Sequence, residues 1–97
     1  MAFNIYILRC SDGSYYTGLT RLEVEQRVWQ HNEGVVEGYT HTRRPVELVF
    51  TESTESARAA VSRERQIKGW SREKKEALIA SDWERLAALS KNRQPKA

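Results

Sequence analysis

The sequence predicts an α+β domain: a three-stranded, antiparallel-type sheet flanked by helices, in the order ββαβα with one or two trailing helices. Three observations carry this. Two β-branched and aromatic runs lie on either side of a turn signal near the N-terminus, a third run alternates with period two from residue 46, and the intervening and later segments show helical spacing with capping residues.

Asn4-Ile5-Tyr6-Ile7-Leu8-Arg9-Cys10 and Tyr15-Tyr16-Thr17-Gly18-Leu19, separated by Ser11-Asp12-Gly13-Ser14, read as a hairpin. A three-residue loop, Ser11-Asp12-Gly13 with a left-handed Gly13, pairs Tyr6 with Gly18 and Leu8 with Tyr16 and places both tyrosines on one face. A two-residue Asp12-Gly13 turn would set Tyr6 and Tyr16 on opposite faces, because one residue of slip reverses every side chain. Thr20 and Glu23 have capping-box spacing, and Val24, Val28 and Trp29 with Gly34 beyond describe a helix over about 21–33. The polar, basic stretch from Gly34 to Pro45, with Tyr39-Thr40-His41-Thr42-Arg43-Arg44, is long enough to be a functional loop.

Val46, Leu48 and Phe50 alternate with Glu47, Val49 and Thr51 as a third strand. Ser53 or Thr54 then caps a long helix whose apolar stripe is Ala57, Ala60, Val61 and Ile67 and which Gly69 ends. Ser71 caps a further helix with Ala77, Leu78 and Ile79, and Asp82 caps a last one with Trp83, Leu86 and Leu89. Residues 1–90 are expected to form one domain and residues 91–97 a disordered basic tail.

Composition bounds the rest. Ninety-seven residues, 39% of them hydrophobic, supply one modest core. A mean hydropathy of -0.71, with no apolar run near the roughly 18 to 20 residues of a bilayer span, excludes a membrane protein of the helical kind. Cys10, the single cysteine, allows no internal disulfide; with no visible secretory signal, a reducing cytoplasm is expected. The net charge is only +3, but Arg58 to Lys75 carries seven basic residues against two acidic, a local +5 that leaves −2 for the remainder. Such a face fits a polyanion, although a solvated helix surface has the same composition.

Several side chains could carry chemistry. Tyr6 and Tyr16 are either packing residues or reactive phenols, with Gly18 opening room beside the Tyr6 hydroxyl. Arg27 and His31, four apart on a helix, project from one face: either an idle surface pair, or a donor fork and proton carrier suited to phosphate. Glu64 lies in the apolar stripe of its helix, where a carboxylate needs a partner; a divalent cation, a raised pKa, or a salt bridge to Arg63 or Lys68 would each provide one. Cys10, His31 and His41 lack zinc spacing, and no glycine-rich phosphate loop or Ser/His/Asp order is present. Trp70 plugs a helix junction or offers an indole to a base.

In this order, Asn4-Ile5-Tyr6, Tyr16-Thr17-Gly18, Arg27, His31 and Glu64 resemble the GIY-YIG nuclease superfamily, and more narrowly its small stand-alone bacterial members. The likeness continues through Thr42-Arg43-Arg44-Pro45-Val46-Glu47-Leu48-Val49 and Arg63-Glu64-Arg65-Gln66-Ile67-Lys68-Gly69-Trp70, covering about residues 3 to 80. The resemblance implies an endonuclease that hydrolyses phosphodiester bonds with one Mg²⁺ or Mn²⁺, with DNA the expected substrate ahead of RNA. It implies catalytic roles for Tyr6, Tyr16, Arg27 and His31, a cation held by Glu64, and Gly18 as the motif glycine. Asn4 stands where the family has glycine, Thr17 where it has isoleucine, and the late asparagine has no counterpart but Asn92. The DNA-binding module usual in the family is also missing, so nucleic-acid contact falls to Arg43, Arg44, Arg63, Lys68, Lys74 and Lys75, or to a separate targeting protein. Structure-selective action on repair or recombination intermediates is the expected activity; the rivals are a catalytically weak nucleic-acid-binding module and a protein adaptor.

Overall fold

The computed structural model describes residues 2–92. It contains β1 (Phe3–Arg9), β2 (Tyr15–Thr20), α1 (Val24–Asn32), β3 (Glu47–Thr54), α2 (Ala57–Lys68), α3 (Arg72–Ile79) and α4 (Trp83–Asn92). The fold is the expected α+β arrangement. The three strands form one antiparallel sheet in the order β2-β1-β3, with β1 central.

The hairpin takes the three-residue loop. Gly13 has φ +84, Cys10 N–H donates to Ser14 O at 2.8 Å, and Asp12 Oδ1 accepts from the Ser14 amide at 3.0 Å. The register is therefore Tyr6 opposite Gly18 and Leu8 opposite Tyr16, which settles the tyrosines onto the same face. On the other edge of β1 the pairing with β3 shifts between Ile7, opposite Phe50, and Leu8, opposite Leu48, so Val49 bulges out.

Because β1 is central, both of its faces are covered, and Ile5 to Leu8 are buried without interruption. Ile5 and Ile7 pack with Ala60, Ile67 and Leu78 of α2 and α3, while Tyr6, Leu8 and Cys10 pack with Val24 and Val46 on the opposite face. The site described below lies on this second face.

Three boundaries differ from the sequence expectation. Thr20 does not cap α1: it ends β2 opposite Asn4, and its Oγ1 accepts from Leu22 N–H at 3.0 Å, so a local turn delays the helix to Val24. β3 runs through Thr54, which consumes Ser53 and Thr54; Ser56 caps α2 instead, accepting from Ala59 N–H at 3.1 Å. On α2, Ala57 and Val61 face solvent, so the buried stripe narrows to Ala60 and Ile67. Ser71 caps α3 and Asp82 Oδ1 accepts from Arg85 N–H at the start of α4, as the pattern predicts. α4 includes Lys91 and Asn92; the rest of the expected tail, residues 93–97, lies outside the described residues. Among the described residues no helix is long and apolar enough to cross a membrane.

Candidate active site

The sheet register and α1 build the centre of the site. Tyr6 on β1 and Tyr16 on β2 are diagonal neighbours on one face, with ring centroids 6.3 Å apart. A Cβ added at Gly18 would stand 2.5 Å from Tyr6 Oη, so only glycine leaves the phenol its place. From α1, His31 inserts completely, with no exposed surface. Its Nε2 lies 2.9 Å from Tyr6 Oη, and Tyr16 meets the imidazole edge-on at 5.3 Å. Arg27, one turn earlier, points its Nε at the same Tyr6 Oη from 3.4 Å and holds Gln30 Oε1 at 2.9 Å with Nη1. The surface-pair alternative for Arg27 and His31 is thereby removed: both converge on one phenol oxygen.

Sequence reasoning missed the residue behind the imidazole. Thr40, 1% exposed, sets its Oγ1 2.7 Å from His31 Nδ1. Nothing periodic marks a threonine inside a polar loop, so the burial of Thr40 shows only once the loop has closed. Closure is secured by side chains. Asn32 bonds the Val46 backbone in both directions, at 3.1 and 2.7 Å, and Tyr39 stacks on Tyr16 at 6.2 Å. Arg43 lies 3.8 Å above the Tyr39 ring, pairs with Asp12 at 3.0 Å and donates to Tyr39 O at 2.8 Å. Arg44 donates to His41 O at 2.9 Å and to Asn32 O at 3.3 Å.

Electrostatics follow the burial. Desolvation, reinforced by the Arg27 charge, lowers the His31 pKa to about 4, so the imidazole is neutral at ordinary pH. Burial pushes the Tyr6 phenol above the usual tyrosine range; the Arg27 hydrogen bond and charge pull it down, and Tyr16 and Glu64 push it further up. The influence of Glu64 brings that carboxylate into the electrical neighbourhood of Tyr6 from α2. The Glu64 side chain is 16% exposed and is paired with Lys68, whose Nζ stands 2.9 Å from Oε2 and 5.9 Å from the Tyr16 ring centroid. Of Arg63 and Lys68, the two side chains the sequence offers to Glu64, Lys68 is the one it pairs with.

The basic face divides. Lys74 is 7% exposed, with its Nζ 4.6 Å over Trp70, and Arg63 chelates Glu52 at 2.9 and 3.3 Å while lying 5.4 Å over the same indole. These contacts, with the loop contacts of Arg43 and Arg44, give four of the six expected phosphate binders internal duties and cover Trp70 with cations. Lys68 remains over Tyr16, and Lys75 remains within reach of the Lys68 charge.

A divalent cation would find one carboxylate here. Among the described residues no three His, Cys, Asp or Glu side chains group together. One carboxylate fits Mg²⁺ or Mn²⁺ of the kind that keeps most of its waters and completes its shell with substrate phosphate.

Comparison with known proteins bears on family and fold. The family model of the GIY-YIG catalytic domain matches residues 2–77. A UPF0213 protein of Natronomonas pharaonis is 49% identical over 78 residues, covering 80% of this chain and 91% of that one; another, of Staphylococcus saprophyticus, is 46% identical over 76 residues, covering 78% and 92%. The solution NMR structure of the UPF0213 protein BH0048 from Bacillus halodurans superposes with a TM-score of 0.54 at 41% identity, covering 82% of this chain and 84% of that one.

Proposed function

Because this chain belongs to the GIY-YIG catalytic-domain family, we propose that it is a divalent-cation-dependent endonuclease hydrolysing phosphodiester bonds in DNA, with branched or nicked repair and recombination intermediates as its substrate class. The observation that carries this reading is the Tyr6 hydroxyl held between a buried neutral imidazole and a guanidinium. A phenol with a raised pKa is a poor base by itself. With a proton acceptor 2.9 Å behind it, it can take a proton while giving one away.

In the proposed step, water attacks phosphorus and passes a proton to Tyr6 Oη as the original phenolic proton moves to His31 Nε2. The leaving oxygen departs as the P–O bond breaks and is protonated by solvent. His31 does this in the tautomer whose Nδ1–H donates to Thr40 Oγ1. Arg27 carries the charge growing on the non-bridging oxygens, and Tyr16 closes the side of the water site. When bound at Glu64, a divalent cation supplies further charge neutralisation on the phosphate.

One contact favours a second reading. Lys68 already neutralises Glu64, as it would in a nucleic-acid-binding module with little or no hydrolysis. Labelled flap, junction and single-stranded DNA, incubated with and without Mn²⁺, separate the readings. Metal-dependent nicking abolished by Tyr6→Phe and by Glu64→Ala supports the nuclease, gel shifts without products support the binder, and neither outcome leaves a protein adaptor.

A further inference from the structure

The ion pair between Lys68 and Glu64 is more than an exposed helix pair, because its two ends sit in different surroundings. Glu64 is 16% exposed and Lys68 is 56% exposed, so the carboxylate is held near the sheet while the ammonium can leave. The ammonium lies over Tyr16, at the edge of the reactive cluster. Next to it on α3 is Lys75, half-buried, for which no carboxylate partner occurs among the described residues. Burial and the nearby Lys68 charge push the Lys75 pKa below the ordinary lysine range, the direction expected of two cations crowded together.

Arg27, Lys68 and Lys75 against Glu64 leave a local charge of +2. Such a site repels a dication until a polyanion is present, and it attracts a phosphate backbone at once. We propose that Lys68 has two stations: on Glu64 while no strand is bound, and beside Lys75 on a backbone phosphate once one arrives, so that the phosphate releases the carboxylate to the cation. The inference rests on the reading of Glu64 as the cation's ligand. Cation and strand then reinforce each other by one reciprocal factor, since linkage makes each ligand raise the affinity of the other equally.

The test reads binding, not cleavage. Mn²⁺ affinity is measured from the loss of the free-ion EPR signal without DNA, and affinity for a short fluorescein-labelled thymidine oligonucleotide is measured by anisotropy in EDTA. Lys68→Met should tighten Mn²⁺ about fivefold or more, the lower end of ordinary coupling between sites. Glu64→Gln should free Lys68 and tighten the oligonucleotide by a similar factor, and Lys68→Met added to it should abolish the gain. An unchanged Mn²⁺ affinity in Lys68→Met, or an unchanged oligonucleotide affinity in Glu64→Gln, overturns the proposal. If Lys68→Met melts early, Lys68→Gln replaces it and the Glu64→Gln arm decides independently. Should nicking be absent while both affinities shift as stated, the exchange stands and the nuclease reading falls. Absence of Mn²⁺ binding in every variant removes both.

Discussion

The Tyr6, His31 and Thr40 side chains form a buried line of hydrogen bonds with one titratable member in ordinary pH, and its sign can be worked out. His31 has a folded pKa of about 4 against about 6.5 unfolded, so between those values the unfolded chain binds more protons and stability rises with pH. The contribution is complete above about 6.5, shrinks as pH falls towards about 4, and amounts to roughly 3 kcal/mol at most. Urea titrations at pH 4.5, 5.5 and 7 should show it, and ring NMR signals of His31 should not move until pH is near 4. A His31 that titrates near 6.5 would contradict the burial. Thr40→Val keeps the shape and removes the hydroxyl facing Nδ1, which should cost about 1–3 kcal/mol and alter the ¹⁵N tautomer pattern of His31, whereas Thr40→Ser should restore both. An unaltered tautomer pattern in Thr40→Val would show that another group orients the ring.

At the scale of the element, local rules were legible where neighbours did not compete. Gly13, Ser71 and Asp82 behave as their local sequences predict. Thr20, Ser53 and Thr54 do not, because strand pairing claimed them first: Thr20 lies opposite Asn4, Ser53 opposite Asn4 on the other edge, and Thr54 opposite Phe3. Spacing put Arg27 and His31 on one helix face and left the faces of Tyr6 and Tyr16 to the hairpin loop, the resemblance grouped the four, and the complete burial of His31 depends on a loop arriving from outside α1. The charge run Arg58 to Lys75 was visible, whereas partners such as Glu52 for Arg63 belong to another strand. β2 also carries a cost. Thr17, 2% exposed, faces the side of Ile7 with an Oγ1 that has no hydrogen-bond partner. Thr17→Val keeps the β-branched shape and removes the orphaned hydroxyl, so urea denaturation should show a gain of about 1 kcal/mol. A loss of stability would mean the hydroxyl has a partner in solution.

For the whole molecule, the division of the basic residues limits how many phosphates it can neutralise. Arg27 and Lys68 are the cations at Tyr6 and Tyr16, with Lys75 near Lys68, while Arg43, Arg44, Arg63 and Lys74 brace the loop, the sheet and Trp70. The slope of log affinity against log salt for duplex DNA should therefore be about −2 to −3, at nearly one unit per phosphate contact. A slope near −6 would bring in further cations, either the exposed Arg58 and Arg65 or bracing arginines released from their partners. Binding of this kind is weak at moderate salt.

The central position of β1 also bears on how the chain is born. The strand that both neighbours need is synthesised before either, and its second neighbour, β3, ends some 45 residues after it. At about 5–20 residues per second, the Ile5 to Leu8 segment waits several seconds on the ribosome with one edge unclaimed. Newly made copies are thus most prone to stick to one another before Thr54 has emerged, and least so afterwards.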